Sequence, residues 1–290
     1  MEKRPLVICT DPGIDDFIAL SGNVGLDVTI NNALLACEYN ARADIPVLAG
    51  SAKPLARPAR SASNIHGKSG LGASLELYAE GKPSNKNGAD FIIEMARKYT
   101  GKLEILSLGP LTDVALALEK APEIAKAIAC ITVMGGGIHA GNATRYAEFN
   151  IVADPEAANV VFGSGVKTVM IGLDATNLCL QPRSDIELLR APTELGKIVP
   201  AMLSSYADVY KQVHNIDGMM IHDAICAVYL WRPELFTCMK CRMTVCLEDG
   251  EHLGQTMPED GDTCLAATSC DAQAIREEIL SVMRQVVAAH

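Results

Sequence analysis

An acidic turn follows an apolar run near the start of the chain, in the stretch Leu6-Val7-Ile8-Cys9-Thr10-Asp11-Pro12-Gly13-Ile14-Asp15-Asp16. The apolar residues predict a buried parallel strand, and Asp-Pro-Gly predicts a sharp turn after it. Asp15 and Asp16 then fall in the first turn of a helix, where the helix dipole favours negative charge. Three carboxylates are therefore expected at the carboxyl end of a strand, the edge at which open α/β sheets bind ligands.

Two interpretations of this acidic turn are open. Carboxylates held so close repel one another unless positive charge lies between them, and a hard divalent cation such as Ca²⁺ or Mg²⁺ would supply it. Alternatively, the segment is an ordinary acidic helix start, with one Asp capping the helix and two in solvent. The stretch by itself favours neither.

Composition narrows the class of protein. The 290 residues are 49% hydrophobic, enough for a large core, and the net charge is −10. Without a block of Lys and Arg, neither nucleic acid nor an anionic membrane is an expected partner. No apolar run approaches the roughly 20 residues that span a bilayer, and the N-terminus lacks a signal-peptide core. We therefore expect a cytoplasmic protein.

The ten cysteines are scattered through apolar runs. In a chain of this length they are typical of small buried hydrophobic residues in a reducing compartment, not of a disulfide framework. Cys238-Met239-Lys240-Cys241 has the spacing of half a zinc site, but a convincing second pair is missing. We therefore do not predict a structural zinc ion.

Strand-like and helix-like segments alternate along the chain. Strands are predicted at 6–9, 46–50, 103–108, 130–134, 167–173 and 239–247, and helices at 27–37, 88–99, 111–118, 154–162, 194–213, 220–230 and 272–289. This alternation predicts an α/β fold, with a mainly parallel central sheet flanked by helices and a Rossmann-like core. Without a repeat or a low-complexity linker, residues 1–290 are interpreted as a single domain.

The chain is too short between its first helix and the next. Ser21-Gly22-Asn23 follows Leu20 at once, leaving no room for the end of a helix and a strand returning to the sheet. Either the protein lacks that segment, or the printed sequence omits it. We favour the second explanation because losing a central strand would expose the core; it predicts a Cα–Cα distance at Leu20–Ser21 well above the usual ~3.8 Å. A smaller compression is predicted near 257–263.

Polar residues follow the predicted strands. Asn142, Glu148 and Asn150 lie in a loop after one strand, where their side chains could bind several hydroxyl groups, as a sugar site requires. A polar surface loop is the simpler interpretation of that loop alone. His222-Asp223 begins an apolar helix, and such a pair is more often a cap beside an idle histidine.

Together these segments resemble one family, the nucleoside hydrolases of the inosine–uridine-preferring type, in the branch with a late His-Asp. The segments that carry the resemblance, in the family's order, are Thr10 to Asp16, Gly22-Asn23, Asn64-Ile65-His66-Gly67, Leu108 to Thr112, Met134 to Gly137, Ala147 to Asn150, Ala153 to Ala158, Gly172 to Asn177, and His222-Asp223. The resemblance implies Ca²⁺-dependent hydrolysis of the N-glycosidic bond of ribonucleosides, a step of purine or pyrimidine salvage. This strengthens the metal interpretation of the acidic turn.

The resemblance also assigns roles. It implies a Ca²⁺ held by the carboxylates of Asp11, Asp16 and Asp223 and by the backbone carbonyl of Leu108, all hard oxygen ligands. Asp11 would activate the attacking water as general base. His222 would protonate the leaving base.

The remaining positions that match the family's motifs would bind substrate around a positively charged, oxocarbenium-like transition state. The ribose positions are Asp15, Asn23, Asn142, Glu148 and Asn150. Met134 would pack on the sugar face, and His66 would lie near the base. Tyr206, Tyr210 and His214 are further candidates near the base, whose identity the sequence leaves open.

Two positions depart from the family's pattern. Cys9 stands where Asp is common, which predicts a change around the metal ligands and not the loss of the site. Asp113 stands where Asn is usual. The family also implies a homodimer or homotetramer acting on a small nucleoside.

Two other functions stay open beside the hydrolase. A metal-dependent phosphohydrolase would also use an acidic turn after the first strand, but it would want a cation near the phosphate, for which only Arg145 is available. A non-catalytic nucleoside- or Ca²⁺-binding protein is the other.

Overall fold

Strands and helices alternate in the computed structural model, which describes residues 4–10, 25–60, 69–72 and 76–289. The strands are β1 (Leu6–Cys9), β2 (Leu48–Ala49), β3 (Ser84–Asn87), β4 (Leu103–Ser107), β5 (Ile128–Met134), β6 (Thr168–Ile171), β7 (Leu180–Pro182), β8 (Gly218–Met220), β9 (Phe236–Val245) and β10 (Thr256–Cys270). The α-helices are α1 (Leu26–Tyr39), α2 (Gly88–Lys98), α3 (Thr112–Lys120), α4 (Phe149–Ala153), α5 (Pro155–Gly163), α6 (Leu173–Thr176), α7 (Ser184–Glu187), α8 (Leu195–His214), α9 (His222–Val228) and α10 (Ala272–Ala289).

A six-stranded sheet forms the centre, in the order β1-β4-β5-β6-β10-β9. Its strands pair in parallel except for β9, which is antiparallel to β10. The parallel strands place their carboxyl ends at one edge, because the connecting helices return the chain to the opposite end each time. The α/β fold expected from the sequence, with a mainly parallel sheet between helices, is confirmed.

Apolar side chains fill both sides of this sheet. One cluster includes Met202, Ile225 and Ile279 from α8, α9 and α10. A second cluster includes Ile92 and Val161 from α2 and α5. Strands covered on both faces must be apolar almost throughout, which is why they are readable in the sequence as continuous apolar runs. None of the described helices is long and apolar enough to cross a membrane.

The second half of the sheet differs from the sequence prediction. Where a compressed strand and loop were expected at 257–263, the structure has the single long strand β10, paired with β9. Residues 260–263 stand between the partners Glu259–Arg242 and Cys264–Cys241, so the pair is interrupted by an irregularity. The predicted strand 239–247 begins earlier, at Phe236.

The two faces of the first strand differ in exposure. Val7 and Cys9 pack against the second apolar cluster, whereas Leu6 and Ile8 are 41% and 46% exposed. Such exposure is unusual for apolar residues of a parallel sheet. The Leu20–Ser21 junction itself lies outside the described residues, so the separation expected there stays a prediction.

Candidate active site

Asn150 connects the ends of two neighbouring strands. Its side-chain amide donates to the carbonyl oxygen of Leu108, just after β4, at 2.9 Å, and to that of Met134, the last residue of β5, at 3.1 Å. The side chain reaches them because Asn150 lies in the first turn of α4, which begins at this edge of the sheet. Asn150 is buried, so it fixes the spacing of the two strand ends away from water.

Glu148 caps the same helix from inside the protein. Its Oε1 accepts the N–H of Asn150 at 2.9 Å, and its Oε2 accepts those of Gly136 and Ile151 at 3.0 and 3.1 Å. The residue is only 2% exposed. Burial raises the pKa of Glu148 to about 7, although the backbone N–H groups act in the opposite direction. The carboxyl group therefore changes charge near neutral pH.

The loop before Glu148 presents Asn142 at the surface. Asn142 is exposed, and its Oδ1 accepts the N–H of Phe149 at 2.9 Å. Three backbone N–H groups, those of residues 142–144, converge on the carbonyl oxygen of Ala147. Met134 is buried, and its Sδ lies 3.4 Å from the Nδ2 of Asn150. The predicted sugar-binding residues Met134, Asn142, Glu148 and Asn150 are thus joined by contacts at one edge of the sheet.

His222 begins α9 and contacts two hydroxyl groups. Its Nδ1 lies 2.8 Å from the Oγ1 of Thr176, and its Nε2 lies 3.2 Å from the hydroxyl oxygen of Tyr210. Tyr206, Tyr210 and His214 form a row of ring contacts along α8, with centroids 5.0 and 5.2 Å apart. The aromatic residues singled out in the sequence therefore lie beside the proposed acid.

Asp223 lies next to His222 and is 2% exposed. It does not face bulk solvent, which would have excluded it as a metal ligand. Asp11, Asp15, Asp16, Asn23 and His66 lie outside the described residues, so their approach to Asp223 and Leu108 stays a prediction. Within the described part of the chain, no three His, Cys, Asp or Glu side chains form a metal-binding group. The proposed ligand set includes Asp11 and Asp16, which lie outside that part.

Comparison with known proteins decides the family. The model of the inosine-uridine preferring nucleoside hydrolases matches residues 19–277. The non-specific ribonucleoside hydrolase RihC of Escherichia coli (strain SMS-3-5 / SECEC) is 34% identical over 281 residues, covering 91% of this chain and 90% of that protein. The chain belongs to the inosine-uridine preferring nucleoside hydrolase family.

Solved structures agree with this assignment. A purine-preferring ribonucleoside hydrolase from Gardnerella vaginalis superposes with a TM-score of 0.92 at 26% identity, covering 99% of this chain and 100% of that one. A plant nucleoside hydrolase, PpNRh1, superposes with a TM-score of 0.89 at 30% identity, covering 99% of each chain. The protein is therefore a nucleoside hydrolase, an enzyme of the N-glycosidase class.

The two departures from the family's pattern lie close together in this nucleoside hydrolase. Asp113, in the first turn of α3, accepts the N–H of Ser51 through both carboxylate oxygens, at 3.0 and 3.1 Å. A side chain at Gly50 would clash with it, since a Cβ there would lie 2.2 Å from Oδ2. Burial raises the pKa of Asp113, and burial together with the charge of Asp113 raises the pKa of the Cys9 thiol. Of these two neighbouring positions, only position 113 carries a carboxylate.

The C9D variant is expected to lower the free energy of unfolding by roughly 1–3 kcal/mol, because it buries a second carboxylate near Asp113. The C9D/D113N double variant should recover most of that loss. Since a raised pKa means that the neutral acid is favoured in the folded state, stability is fully present at low pH and is lost as pH rises through the folded pKa. The C9D defect should therefore be larger at pH 8 than at pH 5 in urea unfolding.

The double-variant comparison provides the control. If C9D and C9D/D113N unfold alike at pH 8, the lost stability of C9D does not come from two neighbouring carboxylates.

The paired cysteines of β9 do not form a zinc site. Cys238 and Cys241 are three residues apart on one strand, so their side chains point to opposite faces of the sheet. All ten cysteines are free thiols.

Sequence reasoning missed two supports of this site. Asp174 accepts the N–H groups of Ile138 and His139 at 2.7 and 3.2 Å and so holds the start of the loop after β5. Thr176 contacts His222, as described above. Both residues lie in Gly172-Leu173-Asp174-Ala175-Thr176-Asn177, a segment that carries the resemblance to the family but gives neither residue a role.

Proposed function

We propose that this enzyme hydrolyses the N-glycosidic bond of ribonucleosides in a Ca²⁺-dependent reaction, releasing free base and ribose. The observation that carries the proposal is the placement of two groups of side chains at the carboxyl ends of the strands. Asn150 and Glu148 form the buried polar network after β4 and β5, and His222 and Asp223 begin α9 beside α6, which directly follows β6. Such an edge is where α/β sheets bind ligands.

The described residues fit a calcium ion. Asp223 offers a buried carboxylate, and burying such a charge is favourable only where positive charge or strong hydrogen bonds compensate it. The carbonyl of Leu108 accepts one hydrogen bond from Asn150 and has a second lone pair for a ligand. With Asp11 and Asp16 these are hard oxygen donors, as Ca²⁺ requires. When bound, the ion would lower the pKa of the attacking water and orient the ribose hydroxyls.

The side chains of the site have separate roles in catalysis and substrate binding. Asp11 takes the proton of the attacking water, and Asp15, Asn23, Asn142, Glu148 and Asn150 bind the ribose. Met134 packs against the sugar. Negative and dipolar groups on this side favour the positive charge that develops on the ribose ring. His66 lies near the base, and His222 protonates it as the bond breaks, so that it does not leave as an anion.

The H222Q variant is expected to reduce kcat for inosine about 10²-fold, the usual range for loss of a general acid. It should reduce hydrolysis of p-nitrophenyl riboside only a few-fold, because nitrophenolate leaves without a proton. Rates are measured by release of hypoxanthine and of nitrophenolate. An equal loss on both substrates would remove His222 from the role of acid.

A product assay separates the other candidate functions. Wild-type protein is incubated with inosine, uridine and a nucleotide, with and without a chelator. Release of free base from nucleosides alone, lost when the chelator is added, supports the proposal. Release of phosphate from the nucleotide would indicate a phosphohydrolase, and the absence of any product would indicate a binding protein. Arg145, the cation that a phosphohydrolase would need, lies over the ring of Tyr146 in an exposed position. The homodimer or homotetramer and the cytoplasmic location stay predictions.

A further inference from the structure

Thr176 holds the side of the His222 ring that faces away from Tyr210. Its Oγ1 lies 2.8 Å from Nδ1 of His222, forty-six positions along the chain. Thr176 is 0% exposed, and its own backbone is fixed: its N–H donates to Gly172 at 3.1 Å and its carbonyl accepts from Cys179 at 3.2 Å. The hydroxyl therefore has a defined position before any substrate binds.

The short helix that carries Thr176 is attached to the sugar side of the site. The N–H of Leu173, the first residue of α6, donates to the carbonyl of Gly136 at 2.9 Å, and the N–H of Gly136 donates to Glu148 at 3.0 Å. The approach is so close that a Cβ at Gly172 would lie 2.5 Å from the Gly136 oxygen. A continuous chain of contacts thus runs from the ribose-binding carboxyl group to the imidazole of His222.

A hydroxyl partner suits a histidine that must gain and lose a proton. A threonine hydroxyl can accept from Nδ1–H or donate to a bare Nδ1, so it holds the ring in either state. Thr176 holds Nδ1, and Nε2 contacts the hydroxyl group of Tyr210 on the other side of the ring. A leaving base would take its proton from Nε2, on the side where Tyr210 lies. Misplacing a catalytic group by about 1 Å can cost 10²-fold in rate.

We infer that Thr176 is a positioning residue that fixes the imidazole of His222 so that Nε2 points at the leaving base. This inference rests on the proposed role of His222 as general acid. It adds the residue that orients the imidazole of His222 and the chain of hydrogen bonds that connects this residue to the sugar-binding network.

The test compares T176V, which has nearly the same shape without the hydroxyl, with T176S, which keeps it. T176V is expected to lower kcat for inosine about tenfold and to leave hydrolysis of p-nitrophenyl riboside within about twofold, because that leaving group needs no proton. T176S should stay close to wild type on both substrates. The inhibition constant of D-ribose, which has no base, should be unchanged in each variant.

Controls separate positioning from folding. T168V removes another buried hydroxyl, which lies on β6 and contacts the carbonyl of Thr263 at 3.3 Å. This variant should alter Tm without changing the ratio of the rates on inosine and p-nitrophenyl riboside. If T176V does not fold, T176A carries the same comparison.

Each other outcome has a definite meaning. Equal losses of T176V on both substrates, or weakened ribose inhibition, would show that Thr176 only supports the fold or the sugar site, and the inference would be wrong. A T176V enzyme that matches wild type while H222Q loses inosine turnover would overturn the inference and leave His222 as the acid. Full activity of H222Q would instead overturn the proposed role of His222 itself.

Discussion

The D223N variant is expected to lose nucleoside hydrolysis by on the order of 10⁴-fold, as when a central charged residue of an active site is removed. Asparagine keeps the shape of the side chain and removes its charge. Asp223 is buried beside His222 at the start of α9, so the loss of charge is not made up by water. Both the affinity for Ca²⁺ and the stabilisation of positive charge on the ribose should fall.

Calcium binding gives a measurement that does not depend on turnover. A ligand that binds only the folded protein, present at a hundred times its Kd, stabilises it by about 2.7 kcal/mol, so metal-stripped wild type should gain several degrees in Tm when CaCl₂ is added. D223N should gain little. D185N is the matched control: Asp185 is also buried, but its carboxylate accepts from Nε and Nη2 of Arg276, each at 2.7 Å, in another part of the fold. A D223N protein with the full calcium-dependent rise in Tm would show that Asp223 is not a ligand.

The sequence predicts those parts of the fold that depend on local patterns. The mostly apolar segments of β4, β5 and β6 can be predicted from neighbouring residues. The helix cap at Asp154, whose Oδ1 accepts the N–H of Ala157 at 3.1 Å, can be predicted in the same way. The strand β3 is not, because Ser84-Asn85-Lys86-Asn87 has low strand propensity. The strand β3 forms by pairing in parallel with β2, and the N–H of Ser84 donates to the carbonyl of Val47 at 2.7 Å. Pairing across the chain therefore overrides the local preference.

The contacts of the candidate site are harder to predict. The sequence shows Glu148 only as a polar residue after a strand, and its role as the N-cap of α4, through Asn150 and Ile151, is seen in the structure. The contact of Thr176 with His222 joins positions that are distant in the sequence. No local pattern distinguishes a threonine that hydrogen-bonds a catalytic side chain from one that only packs in a short helix. Only the family motif marks it, and a motif does not state what a residue touches. The structure supplies that information.

The E148Q variant is expected to lower kcat/KM for inosine about 10²- to 10³-fold, comparable to the loss of a central hydrogen-bonding group in an enzyme site. Both oxygens of Glu148 accept backbone N–H groups, from Asn150 on one side and from Gly136 and Ile151 on the other. An amide replaces one oxygen by an NH₂ group, so two donors then face each other on one side. The start of α4 shifts, and Asn150 moves with it.

The pH dependence of the wild-type enzyme and of E148Q distinguishes charge from shape. With a pKa of about 7, Glu148 becomes an acceptor-only carboxylate as pH rises, so wild-type kcat/KM should increase through pH 7, and E148Q should lack that increase. Because the folded pKa lies above the ordinary value of 4.5, the contribution of Glu148 to stability is full below pH 4.5 and is lost as pH rises through 7. In chelator-treated protein, the stability of wild type relative to E148Q should therefore be larger at pH 5 than at pH 8. D154N, in a second buried cap whose carboxylate binds Leu55, Thr112 and Ala157, should lower Tm without changing the pH profile. An E148Q profile that still rises through pH 7 would assign that ionisation to another group.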